Sequence, residues 1–252
     1  MSDWNAQQYL KFKAQRTQPA IDLASRIRNR QFQTAMDIGC GPGNSTAVLQ
    51  SIFPDTKVEG MDSSENMIMQ AKKQHPDISF RLCDVHDIEE SYDLLFSNAC
   101  LQWLPNHEIL LPKLMDNVNP GGILAIQIPE NQEEPLFKII KEVAQFPQWD
   151  FHKVIFERNE VLNSHQYVDI LSECASSFDL WETVYYHQMS SHSSLLEWVR
   201  GTRLRSYLDV LNQEQAALFE QEILNRVKQA YPISKNGTVI LRFKRLFFIA
   251  ER

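Results

Sequence analysis

The stretch MDIGCGPGNST, residues 36–46, decides the fold. It follows a short apolar run, TAMDI, that reads as a strand. Gly39, Gly41 and Gly43 stand two apart and stop it. Residues 45–52 then take helical spacing, until Pro54 and Asp55 end the helix. A strand, a glycine turn and a helix in that order aim backbone N–H groups at a bound ligand. Glycine permits both the tight turn and the close approach. By itself the turn suits a phosphate, a dinucleotide or another nucleoside cofactor.

The same alternation continues outward. KVEGMD (57–62) reads as a second strand, followed by a helix to Gln74 with Ser63 or Ser64 as its cap. ISFRLCD is a third strand, YDLLFSNA a fourth and GILAIQIP a fifth, with a helix at 109–118 and a PGG turn before the last. After Pro129 the pattern becomes mostly helical. A sixth strand reads at 180–189, helices at 194–211 and 212–231, and a terminal strand in KRLFFIAER. Ser194 with Glu197, and Asn212 with Gln215, have capping-box spacing. Strands separated by helices predict βαβ units and a parallel sheet. LLF and ILAI are apolar on both faces, as buried parallel strands require. The domain reading is one unit over 1–252: cap helices at 1–30, a cofactor-binding core at 31–129, and helical lid insertions at 130–178 and 190–237.

A chain of 252 residues suffices for one domain with an inserted lid. The net charge of −7 argues against a general nucleic-acid binder, which needs a basic surface. Cys40, Cys83, Cys100 and Cys174 show no C-x-x-C spacing, so neither zinc nor a dithiol motif is indicated. Free thiols, no signal-peptide pattern and no apolar run of about 20 residues predict a cytoplasmic protein without a membrane partner. It is expected to act as a monomer.

Acids accompany the glycine turn. Asp37 precedes it, Asp62 ends strand two and Asp84 ends strand three. All three fall at the carboxyl edge of the sheet, where open α/β folds bind ligands. Gathered carboxylates repel one another unless something cationic or hydrogen-bonding lies among them. A pyrophosphate is disfavoured beside Asp37. A ligand with a sulfonium, an ammonium, ribose hydroxyls and an adenine amino group is favoured, and that ligand is S-adenosylmethionine.

DIGCGPGNST, GMDSSENMI, the acid of LCD and PGGILAIQIP resemble the class I S-adenosylmethionine-dependent methyltransferases. MSDWNAQQYLKF, SNACLQWLPNH, YYHQMSSH and RLFFIAER resemble the narrower trans-aconitate 2-methyltransferase family along nearly the whole chain. The resemblance implies a Rossmann-like seven-stranded sheet with its last strand antiparallel, helices on both faces and a helical lid. It implies methyl transfer to one carboxylate of trans-aconitate, giving a monomethyl ester and S-adenosylhomocysteine. Asp37, Gly39 and Gly41 would face the methionine part of the cofactor. Asp62, with Ser63 beside it, would take the ribose hydroxyls, and Asp84 would approach the adenine amino group. Asn98 would sit below the sulfonium, facing the acceptor. The chain departs from the family pattern at TRLRSY (202–207), with Arg203 in place of glycine and Ser206 in place of proline, and between Pro129 and Tyr167.

A carboxylate, with a free pKa of about 4, is already ionised at neutral pH, so its esterification requires no general base. The enzyme must position the oxygen and exclude water. The acceptor's remaining charges call for arginine or histidine. His187, His192, Arg200, Arg203 and Arg205 form a basic cluster with Glu197 the one acid among them. Arg200, Arg203 and Tyr207 fall on one face of a continuous helix. A solvated basic face is the alternative reading. Trp103 and Tyr9 are candidates to wall the sulfonium by cation–π contact, and Arg16 to pair with the cofactor carboxylate. Rival functions are a methyltransferase for another carboxylate such as a malonyl thioester, an NAD-binding oxidoreductase, and a binding module without turnover.

Overall fold

The computed structural model describes residues 12–151 and 161–252. Its centre is a seven-stranded sheet. The strands are β1 (Thr34–Ile38), β2 (Lys57–Asp62), β3 (Ser79–Leu82), β4 (Tyr92–Asn98), β5 (Val118–Pro129), β6 (Ser177–Met189) and β7 (Val239–Glu251). Their order is β3-β2-β1-β4-β5-β7-β6. The first five pair in parallel, and β7 runs antiparallel between β5 and β6. The order reverses between β1 and β4, which opens a crevice at their carboxyl ends.

The two faces of the sheet are set by alternation along each strand. Ala35, Leu94, Phe96, Ile123, Ala125 and Phe247 pack with Leu23 and Leu49 on one face. Met36, Ile38, Leu95, Leu124, Ile126, Leu246 and Phe248 pack on the other. The first face carries α1 (Lys13–Arg26) and α2 (Asn44–Ile52). The second carries α4 (His107–Asp116) and α6 (Ser164–Cys174), while α3 (Glu65–Gln74) lies beside β2 and β3. Ser64, not Ser63, caps α3, accepting from Met67 N–H at 3.2 Å.

The lid has a core of its own. It is built from α5 (Pro135–Ala144), α7 (His192–Arg200), the short α8 (Arg205–Leu208) and α9 (Gln213–Ala230). These bury Leu136, Ile140, Leu195, Phe219 and Ile223 against Leu241 and Phe243 of β7. The Asn212–Gln215 capping box forms as expected.

Some local expectations change. Residues 130–178 do not all join the lid. α6 returns to the sheet, where buried Tyr167 holds His107 of α4 through a 2.8 Å hydrogen bond. The continuous helix expected over 194–211 breaks at Gly201 into α7 and α8. Its cap is Ser191, which accepts from Ser194 N–H, because the helix begins one turn earlier than the Ser194–Glu197 spacing suggested. The terminal strand is also longer, spanning 13 residues.

Candidate cofactor and acceptor site

One cavity of about 1050 Å³ opens at the switch point and runs beneath the lid. Its first end is made by the glycine turn. Gly39, Gly41 and Gly43 all have positive φ, a region that glycine enters without the steric cost a side chain carries. Gly39 is the tightest. A Cβ there would stand 2.2 Å from Cys100 Sγ. At Gly41 a Cβ would meet nothing within 4 Å, so the turn borders open space.

Asp62 is placed by two backbone donors. Gly41 N–H reaches its Oδ2 and Ser64 N–H its Oδ1, both at 2.9 Å. The carboxylate therefore ties the turn after β1 to the end of β2. Asp84 accepts from His86 N–H at 2.9 Å and stays exposed. Asp62, Ser63 and Asp84 all line the cavity. Asp37 does not. It is fully buried beneath the turn, where the Ser45 and Thr46 hydroxyls donate to Oδ2 at 2.6 and 2.7 Å. Burial pushes its carboxyl up to about 7, against the lowering effect of those two hydroxyls. Asp37 does not line the cavity but holds Ser45, which does, so its expected direct contact with the methionine part is corrected to a supporting one.

β4 ends in Asn98, and Ala99 follows with φ +57°. A left-handed alanine costs about 1–2 kcal/mol. Its N–H is anchored to Gln127 O at 3.0 Å. This bend presents Asn98 to the cavity and lays Cys100 against Gly39. Trp103 lines the same wall from a 3-10 turn, Leu101–Trp103.

The second end is basic. Arg16 of α1, Lys138 and Lys141 of α5, Arg203 before α8 and Arg245 of β7 all line it, with Tyr207, Trp198 and Phe243 between them. Glu133 also borders this end and pairs with Lys138 at 2.7 Å. Arg16 donates to Trp198 O at 3.0 Å and lies over that indole at 5.0 Å.

Two expected acceptor contacts are corrected. Arg200 does not line the cavity. It donates from Nε and Nη2 to Glu220 at 2.8 and 3.0 Å, and also pairs with Glu197, bracing α7 to α9. The break at Gly201 turns Arg203 and Tyr207 inward and leaves Arg200 outside. His187 is buried behind the cavity wall, with its ring 4.8 Å from Trp198 and 5.8 Å from Phe243. Burial, then the charges of Arg245 and Arg16, pull it down to about 4. A neutral imidazole cannot offset an acceptor carboxylate. Tyr9 lies outside the described residues.

Among the residues that line the cavity, sequence reading missed Arg245, Asn44, Gln102, Asn131, Lys138 and Lys141. Arg245 had a signal: in VILRFKRLFF it occupies an alternating apolar position of an inner strand. The lysines had none, since an amphipathic helix carries lysines on its solvent face as a rule.

The lining fits a nucleoside cofactor. Both amide atoms of Asn44 and Oδ1 of Asn98 are buried without a hydrogen-bond partner among the described residues, and both residues line the cavity. Buried amides are costly unless something satisfies them. Donor and acceptor groups of an adenosyl ligand supply such partners.

Residues 31–192 match the family model of a methyltransferase domain. Trans-aconitate 2-methyltransferases of Escherichia coli K12 and Shigella flexneri are 41% identical, covering 100% of this chain and 99% of theirs. Among solved structures, the Bacillus subtilis YcgJ protein aligns with TM-score 0.60 and 10% identity over 93% of this chain and 98% of its own. Phosphoethanolamine N-methyltransferase 2 of Haemonchus contortus, solved with S-adenosylhomocysteine, aligns with TM-score 0.58 and 17% identity over 93% of this chain and 52% of its own. These two share the fold. The family match does not favour the NAD-binding alternative. A glycine turn, two acids at adjoining strand ends and full-length similarity at 41% identity agree: the chain belongs to the trans-aconitate 2-methyltransferase family of S-adenosylmethionine-dependent methyltransferases.

Proposed function

We propose that the chain methylates one carboxylate of trans-aconitate, using S-adenosylmethionine and releasing the monomethyl ester and S-adenosylhomocysteine. The observation that carries this reading is the opposite charge of the two ends of one cavity. Asp62 and Asp84 border the first, and Arg16, Lys138, Lys141, Arg203 and Arg245 border the second. A cationic sulfonium nucleoside suits the former and a polyanion the latter.

When bound, S-adenosylmethionine supplies a methyl group that a carboxylate oxygen takes by in-line displacement, with no proton transferred. The chain's own residues then have three tasks. Asp62 and Asp84 hold the ribose and adenine, with Ser63 beside them. Asn98 and Trp103 border the midpoint where the acceptor oxygen must approach. Arg203, Arg245 and the two lysines hold the acceptor's other charges. No general base is required, and among the described residues no histidine lines the cavity. Orientation of this kind contributes about 7–11 kcal/mol where the reacting groups are well aligned. The lid helices complete the wall and keep water from the reacting groups.

The proposal includes a cytoplasmic monomer. Four free thiols support a reducing compartment, and the exposed large apolar side chains are scattered over separate elements. Among the described residues no helix is long and apolar enough to cross a membrane.

The test is a methyl-transfer assay with trans-aconitate, cis-aconitate, citrate and isocitrate. Trans-aconitate should give the highest kcat/KM, and the product should hydrolyse in mild alkali. A base-stable product, or a preferred acid outside this set, overturns the proposal.

A further inference from the structure

Arg245 is the most deeply buried of the cavity's cations. It sits on an inner strand and is 3% exposed. Across the ladder it faces Pro129, the last residue of β5. Its Nη1 donates to Gln127 Oε1 at 3.0 Å, and Gln127 is itself fully buried on β5. The guanidinium lies 4.7 Å from the Phe243 ring and 5.8 Å from that of Tyr185. These contacts fix its plane, as bidentate recognition of a carboxylate requires.

Position separates it from the cofactor end. The glycine turn follows β1 and Asn98 ends the adjoining β4. Arg245 lies two strands beyond β4, roughly 10 Å at the usual strand spacing. Arg16 reaches the aromatic wall elsewhere, at Trp198, whose ring stands 5.3 Å from Phe243. Two like charges held along one aromatic wall form a setting that favours an anion.

We propose that Arg245, levelled by Gln127 and seated on Phe243, takes a non-reacting carboxylate of the acceptor and so selects polycarboxylates. This rests on trans-aconitate as the acceptor. Arg245 is then a binding residue and Gln127 its positioning residue.

The experiment is a double cycle between the protein and its acceptor. Wild type, Arg245→Met and Arg245→Lys are assayed with trans-aconitate and with three analogues, each lacking one carboxylate. Arg245→Met should raise KM for trans-aconitate about tenfold or more, the scale of a lost charged hydrogen bond. S-adenosylhomocysteine affinity should stay within about twofold by calorimetry, since that ligand lies at the other end. With one of the three analogues, wild type and Arg245→Met should show similar KM, because the partner group is already gone. Gln127→Met should raise acceptor KM by a smaller factor with kcat retained. If every analogue shows the full loss, or S-adenosylhomocysteine affinity falls as far as acceptor affinity, the assignment is overturned. Should Arg245→Met fail to bind S-adenosylhomocysteine for want of folding, Arg245→Lys gives the same cycle with the buried charge kept. Wild-type turnover of trans-aconitate tests the proposed function, whereas the variant ratios test Arg245, so the two fail separately. Where another acid proves the better substrate, the same cycle on its carboxylates decides the role of Arg245.

Discussion

Replacing Gly39 by alanine should damage the site for two separable reasons. The first is conformational. Gly39 has φ +66°, and an alanine held there costs about 1–2 kcal/mol. The second is steric. The new Cβ would lie 2.2 Å from Cys100 Sγ and 2.4 Å from Cys100 Cβ. Cys100 cannot swing away freely, because it follows left-handed Ala99, whose N–H is fixed to β5 at 3.0 Å. Overpacking of this kind costs roughly 1–3 kcal/mol. Gly39→Ala should therefore lose about 2–5 kcal/mol in urea unfolding and bind S-adenosylhomocysteine at least tenfold more weakly. The two causes are separated by Cys100→Gly, which removes both clashing atoms and leaves Cys100 Cα at 3.8 Å, an ordinary contact. The double variant should recover the steric part, a coupling of about 1–3 kcal/mol, and retain the conformational part. If the two substitutions prove additive, the close approach of Gly39 and Cys100 does not govern the turn, and the reasoning fails.

Three further outcomes are expected. Arg200→Ala should leave acceptor KM within about twofold and lower stability by roughly 1 kcal/mol, since its ion pairs with Glu220 and Glu197 are part-exposed; steady-state kinetics and urea melts check both. Asp62→Ala should weaken S-adenosylhomocysteine in calorimetry by more than tenfold, for it removes the proposed ribose partner and the acceptor of Gly41 N–H together. Asp37 and His187 should impose opposite pH slopes. Asp37, raised to about 7 from 3.8, favours the folded state at low pH, and that stability is lost as pH rises from about 4 through 7. His187, lowered from 6.5 to about 4, contributes stability present above 6.5 and lost as pH falls toward 4. Asp37→Asn should thus flatten a falling limb and His187→Phe a rising one, read as thermal melts of each variant against wild type between pH 4 and 7.5. Like-signed changes would refute the assignments.

The glycine turn, the strands through β5 and the acids at their ends follow from local pattern. Alternating apolar residues and turn glycines act over a few positions, and one chain segment holds all the information. The family likeness extended that reading to the antiparallel last strand. The cations were another matter. Arg200 and Arg203 look equivalent on a helical projection, yet a break at Gly201 sends one to Glu220 on α9 and the other to the cavity. Arg245 lies far along the chain from the glycine turn, and only the insertion of β7 beside β5 brings it to the same cavity. His187 is a plausible cation in sequence, but in the fold burial, then the charges of Arg245 and Arg16, lower its pKa to about 4.

What the sequence determined alone was the acidic end of the cavity, since βαβ order places the first turn and the following strand ends at one edge of the sheet. The basic end, proposed to take the acceptor, belongs to the tertiary structure. Its charges come from α1, α5, the α7–α8 break and β7, elements far apart in the chain. Their convergence depends on how the lid core packs over the sheet, and side-chain burial then decides which of them keep a charge to offer.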